Sequence, residues 1–369
     1  MFDIVVIGAG IAGLTCARQL AQSGYRVAVV EKSRGVGGRA ATRRLPGTRA
    51  DLGIPYLQEK GRLLSGFVKV LRDRQILTEW TNRGYEWDAR GACLVPQPAD
   101  PFYIAPDGMS AMGKFLATDL EIWFDRRART LTPGDGGWHV SLDAPRNTPD
   151  LPLEIAAKAL VVAIPAPQAI DLLETHAGPF SQILPSLKAI EYDPCITVIA
   201  AYPPSQQSQF DRRDSSWEAI DFPSHRDLRW MGWDSDKRSN PQQPVLVLHS
   251  CPEFARENLE NKDLEPIGKQ LLASAEAMFG LGLDTPEFLQ VHRWRYAFPR
   301  VSLPQDCLGT IEPFPLVCCG DGFGKTQTKD LTQPVETALR SGLAAASLAN
   351  DRLFGKSLPP LNQCWEAIR

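Results

Sequence analysis

The segment Asp3–Arg44 constrains the fold more than any other part of the chain. Ile4–Ile7 is a short β-branched run that reads as a buried parallel strand. Gly8-Ala9-Gly10-Ile11-Ala12-Gly13 follows at once, Leu14–Ser23 reads as a helix, and a second strand, Arg26–Val30, ends on Glu31. An acidic residue about 20 positions beyond the glycines completes a βαβ unit that carries the dinucleotide fingerprint in its required context. Gly8 allows the tight turn, Gly10 lets a pyrophosphate approach the backbone, and Gly13 lets the helix pack closely on the strand. The free N–H groups of the first helical turn, at Ile11 and Ala12, face the phosphates with the positive end of the helix dipole. Glu31, beside Lys32, suits an adenosine ribose, and its charge repels a 2′-phosphate. On these residues alone FAD and NAD both remain open.

The next segment separates them. Gly35-Val36-Gly37-Gly38-Arg39, with Thr42, Arg43 and Arg44 behind it, is rich in both glycine and guanidinium. Backbone amides plus a planar cation make a second anion cradle for a pyrophosphate already held on one side. Here the chain resembles the flavin-containing amine oxidase superfamily, whose second cofactor motif has this GxxGGR form. The resemblance implies FAD.

Composition bounds the remaining classes. A chain of 369 residues favours two domains with a substantial core. The net charge of −3 gives neither a nucleic-acid footprint nor a polybasic membrane anchor. The first apolar run is short, lacks a basic flank and already belongs to the fold, and no later run approaches a membrane span. A cytoplasmic protein with no membrane and no nucleic-acid partner is expected. The eight cysteines are scattered without a CxxC pair, so neither a metal site nor a disulfide framework is expected. Cys318-Cys319 is the pair to follow.

Along the chain, Ala50–Tyr56 takes the place of the superfamily segment that brings backbone beside the flavin ring, with Gly53 and Ile54 as its cofactor-facing residues; Ile54-Pro55 departs from the Ala-Gln of close relatives. Gly61–Arg74 has the spacing of an amphipathic helix, and Trp80, Tyr85 and Trp87 lie in short strands. Ala111–Ala117 reads as a helix and Leu120–Phe124 as a strand entering Arg126, Arg127 and Arg129; the resemblance implies that backbone near Ala128 meets the adenine. Ala159–Ile164 is a buried parallel strand, and Gln168–Glu174 a helix. Cys195–Ala201, Leu228–Trp233 and Val245–His249 read as an antiparallel sheet, with a helix at Ile267–Phe279. The expected fold is α/β: a Rossmann-like FAD-binding domain interleaved with an α+β substrate domain on an antiparallel sheet. Residues 1–58, 103–167 and 300–350 belong to the first, 59–102 and 168–299 to the second, and 351–369 form a C-terminal tail.

Val291-His292-Arg293-Trp294-Arg295-Tyr296-Ala297 is dense in aromatic and cationic groups. Strand alternation puts His292, Trp294 and Tyr296 on one face and the two arginines on the other. Further on, an apolar strand ends in Gly320-Asp321-Gly322, and Pro334-Val335 opens a helix. In the superfamily this aspartate serves the ribityl or pyrophosphate portion, and the helix N-terminus at Val335 faces the flavin pyrimidine, where its dipole favours negative charge. These segments, with Trp233–Lys237 and the run ending in His249, resemble renalase and its bacterial relatives across essentially the whole chain.

That resemblance implies an oxidase with noncovalent FAD that takes hydride from 2- or 6-dihydronicotinamide isomers of NAD(P)H, with O2 as electron acceptor and hydrogen peroxide as product. His249 and Trp294 would position the nicotinamide. Such chemistry needs orientation more than a general base. An amine oxidase acting on a small amine is the alternative; Val291–Arg300 contains no lysine, which disfavours it. A flavin-binding protein without turnover is the third reading.

Overall fold

The computed structural model describes residues 1–144, 152–211, 217–325 and 331–368. Its first three elements are β1 (Phe2–Ile7), α1 (Ile11–Gln22) and β2 (Val27–Val30). β1 is parallel to β2 on one side and to Glu154–Val162 on the other. Glu121–Trp123 extends the sheet beyond β2, and Leu316–Cys318 extends it beyond Glu154–Val162, both again parallel. Antiparallel strands complete this eight-stranded sheet. Its central strands are apolar throughout because both faces are covered. Ile4 and Val6 pack with α1 and the helix Gln333–Leu353, whereas Val5 and Ile7 pack with the helices Ala166–Leu173 and Leu184–Lys188.

The second sheet has seven strands, with Phe288–Val301 at one edge, then Glu191–Ala201, Val245–Ser250 and Leu228–Trp233. Neighbours here are antiparallel, but the short strand Ala219–Asp221 runs parallel to Thr78–Asp88, so the sheet is mixed. Trp80, Tyr85 and Trp87 share that one long strand rather than several short ones. Its partner, Cys93–Ile104, contains Pro96, Pro98 and Pro101 and was not expected as a strand. It lies at the sheet edge, where a missing N–H breaks no ladder bond. The helix Glu265–Phe279 packs on the sheet above a core that includes Trp217 and Trp233.

One local expectation is corrected. Thr42, Arg43 and Arg44 are not a phosphate cradle behind Gly38; they belong to a strand, Thr42–Leu45, paired as a hairpin with Thr48–Asp51. Alternation sends neighbours to opposite faces. Thr42 Oγ1 donates to Asp51, while Arg43 reaches Gln290 of the second sheet. At the C-terminus, the helix Leu361–Glu366 buries Trp365 5.0 Å from the Phe67 ring. Cys318 and Cys319 are buried free thiols, and burial pushes the pKa of each up. Among the described residues no helix is long and apolar enough to cross a membrane.

Candidate active site

The two sheets enclose one cavity of about 920 Å³. Its nucleotide end is made by the turn from β1 into α1. Gly10 caps the helix without a side-chain hydrogen bond, and Ile11 and Ala12 line the wall. A Cβ built on Gly10 meets nothing within 4 Å, so the motif's middle glycine opens into free space where an anion can approach the first helical turn. Gly13 does not line the cavity: its built Cβ would lie 2.1 Å from Gly8 O, so the close helix–strand approach is what requires glycine there. Glu31 is buried and accepts from Ala9 N and Ser33 N, both at 2.8 Å. One backbone bond per carboxylate oxygen fixes the side chain and leaves acceptor capacity for hydroxyl donors. Lys32 lines the same end, with Nζ donating to Gln168; burial lowers its pKa while Glu31 opposes the shift. Ala128 completes this wall.

The middle of the cavity brings together two residues that the sequence places 282 positions apart. Arg39 and Asp321, each expected to meet the cofactor separately, form a bidentate pair at 2.6 Å on both arms. Arg39 also donates to Ala297 O at 3.1 Å. Burial works against the guanidinium charge, but Asp321 outweighs it and raises the Arg39 pKa. Gly38 and Gly320 flank the pair on the cavity wall, and Gly320 N donates to Ser341 Oγ. The helix Gln333–Leu353 starts here with no side-chain cap, and Pro334 and Val335 line the cavity. The carboxylate in its first turn, Glu336, turns aside to accept from Leu63 and Leu64 N, capping the helix Arg62–Asp73.

At the far end, Ile54 N donates to Arg39 O at 3.0 Å, and a Cβ built on Gly53 would lie 1.7 Å from that oxygen. Only glycine lets the two backbones approach so closely. Trp294 Nε1 donates to Leu52 O at 3.2 Å, tying the indole to this segment. Ile54 and Pro55 both line the cavity.

The second sheet supplies the opposite wall in one row. Thr197 pairs with His249 on one side and with His292 on the other, and Cys195 faces Trp294. His249 and Thr197 are buried; Leu52 backbone lies close to the His249 ring and Cys195 close to Thr197, but neither ring nitrogen nor Thr197 Oγ1 makes a hydrogen bond of full geometry among the described residues. Polar atoms left so are costly unless a ligand meets them. Burial, reinforced by Arg229 and Lys237, pushes the His249 pKa down to about 3, so the ring is neutral near pH 7.

Behind this wall lies a feature the sequence reading did not identify. Asp51, Asp234, Lys237 and Arg238 form a buried network of two carboxylates and two cations. Lys237 donates to Asp234 at 2.8 Å, and Arg238 bridges Asp51 at 2.9 Å and Asp234. The network joins the hairpin before Leu52 to the loop after Leu228–Trp233. Pairing across 183 residues leaves no local signal.

The open helix terminus, the free space at Gly10, the ribose-suited carboxylate and the cavity size fit a flavin dinucleotide. Comparison with known proteins agrees. The profile described as NAD(P)-binding Rossmann-like domain matches residues 6–70, and that of flavin containing amine oxidoreductases matches residues 74–349. The chain belongs to the flavin-containing amine oxidoreductase family. The fold of this family member is similar to a putrescine oxidase, at a TM-score of 0.67 and 15% identity over 95% of this chain and 99% of the other. Cyclohexylamine oxidase from Brevibacterium oxydans gives 0.65 and 12% over the same shares. An L-amino-acid oxidase of Echis ocellatus is 44% identical over 69 residues, which are 18% of this chain and 14% of that protein. (S)-6-Hydroxynicotine oxidase of Paenarthrobacter nicotinovorans is 40% identical over 63 residues, 16% and 15% of the two chains. The sequence matches thus span under a fifth of these relatives. The family is one of flavin-containing oxidoreductases, which makes FAD the cofactor this cavity suits.

Proposed function

We propose that this oxidoreductase acts on dihydronicotinamide nucleotides whose transferable hydride lies at ring C2 or C6, the renalase-type reaction. FAD held in this cavity would supply a two-electron acceptor for the hydride, with O2 and a proton completing turnover to hydrogen peroxide. The residues of the chain hold and orient the ring. Its adenosine would lie against Glu31 and Ala128, its diphosphate at Gly10, Ile11 and Ala12, and its ring beside Gly53 and Ile54 with Val335 near the pyrimidine.

The observation that carries the reading is the pair Thr197 and His249. A hydroxyl and a neutral imidazole present donor and acceptor capacity that no well-formed hydrogen bond among the described residues fills, in a buried position. An uncharged carboxamide, which carries both an N–H2 donor and a C=O acceptor, matches that pair. Trp294, fixed by Leu52 O, supplies a flat apolar face for the attached ring. Transfer then depends on orientation, not on a base at this wall.

The amine-oxidase reading finds less support at this end. The carboxylates lining the cavity are Glu31 and Asp171 by the nucleotide and Asp321, which Arg39 neutralises. Lys32, the lysine among the described lining residues, is likewise at the nucleotide end. The charges that lower the His249 pKa beyond burial are those of Arg229 and Lys237, so this wall is not acidic towards a protonated amine.

Steady-state peroxide formation with matched panels of 2- and 6-dihydronicotinamides and primary amines tests the proposal. The expected result is turnover with the dihydronicotinamides alone. Turnover confined to amines would replace it with the amine-oxidase reading.

A further inference from the structure

Arg43 belongs to the guanidinium-rich motif after the GGR turn, yet its side chain does not point at the nucleotide end. It projects from the hairpin face opposite Thr42, and its Nε donates to Gln290 Oε1 at 3.1 Å. Among the described residues that is its one partner, so both Nη groups stay open on an exposed side chain. Gln290, His292 and Trp294 share one face of the Phe288–Val301 strand by alternation. Neither Arg43 nor Gln290 lines the cavity; strand rise places Gln290 about 13 Å from Trp294, two residues beyond His292, the last lining residue on this face, and Arg43 is bonded to it there.

Among the described residues the cations nearby outnumber the one carboxylate, Glu260. Arg295 is matched by Glu260, and Arg293 is held by the carbonyls of Leu259 and Asn261. Beyond burial, the charges acting on His292 are those of Arg43 and Arg293, and they lower its pKa further. A guanidinium with an open fork in a cationic surround favours a phosphate.

We propose that Arg43, positioned by Gln290, recognises a phosphate of the substrate just beyond the cavity wall at His292. The inference rests on the dihydronicotinamide reading: nicotinamide at Trp294, ribose by His292 and phosphate at Arg43 follow one another along a single strand face. The substrate class is therefore narrowed to phosphate-bearing nucleotides over ribosides and free bases.

The test compares 6-dihydronicotinamide mononucleotide with the corresponding riboside on the FAD-loaded full chain. Wild type should show a kcat/KM about tenfold or more in favour of the mononucleotide, carried by KM and shrinking as salt rises. Arg43→Ala should collapse that ratio towards one, and Arg43→Lys should restore part of it. Gln290→Ala should lower it to a lesser degree. A wild-type ratio near one, or a ratio that Arg43→Ala leaves intact, overturns the proposal.

A second measurement separates this failure from failure of the broader reading. Oxidised nicotinamide mononucleotide and its riboside are titrated while the flavin absorbance is followed. A tighter Kd for the mononucleotide in wild type, equalised in Arg43→Ala, supports the phosphate subsite even if neither dihydro form is oxidised. Equal Kd values in wild type overturn it, whatever turnover shows.

Discussion

The two ends of the cavity are built on opposite principles. At the nucleotide end, a single run from β1 to Ser33 supplies the turn, the helix terminus and the carboxylate, and Ala9 N and Ser33 N hold Glu31 from within that run. At the ring end, Leu52, Thr197, His249 and Trp294 arrive on separate strands and loops, and a buried ion network behind them holds hairpin to loop. The first end is a local motif that many chains can carry. The second exists only once the whole second sheet has formed.

The largest effect should come from the local end. Gly10 has φ −76 and ψ 175, ordinary extended backbone, and its built Cβ touches nothing. Gly10→Val should therefore fold and melt like the FAD-stripped wild type yet purify colourless, because the added methyls fill the space of the pyrophosphate. A fully yellow variant would break the assignment of this end.

The distant end should respond in stability. Asp234→Ala leaves Lys237 and Arg238 buried with too little counter-charge, and should lose about 3–5 kcal/mol in denaturant unfolding. The two cations outweigh the burial penalty and hold the Asp234 carboxyl below its usual range. Its contribution is thus complete above pH ~4 and is lost as pH falls through the depressed folded value. A loss under about 1 kcal/mol would contradict the network's role.

A smaller effect isolates His249. Its pKa, pushed down to about 3, means the unfolded chain takes up a proton below pH ~6.5 while the folded chain does not. Its contribution is complete above that pH and declines as the medium acidifies towards the folded value. His249→Gln keeps polar capacity without titrating, so its stability should fall less steeply over that window, with KM for a carboxamide-bearing substrate raised about tenfold. An unchanged acid slope would mean that the ring is not buried neutral.

The same contrast explains what could be read from the sequence. The βαβ unit, the glycines and the helix opening at Pro334 were legible because short-range period and turn chemistry specify them. Alternation holds for His292 and Trp294, opposite Thr197 and Cys195, but a register irregularity between Trp294 and Phe298 interrupts it at Tyr296. The Asp51–Asp234–Lys237–Arg238 network was not legible, since charges 183 residues apart carry no mutual pattern. Thr197 escaped notice because a threonine inside an apolar strand looks like packing until its orphaned hydroxyl is seen. The strand Cys93–Ile104 was hidden by its prolines, which only an edge position tolerates. Arg43 lay inside a legible motif, but which face of the hairpin it occupies depends on pairing with Ala50.

The central claim is that the ring end orients a dihydronicotinamide for hydride transfer. Anaerobic stopped-flow mixing of the FAD-loaded protein with 6-dihydroNAD tests it most directly. Bleaching of the flavin within a single turnover is the expected result. No bleaching by 6-dihydroNAD, together with fast bleaching by a primary amine, would contradict it.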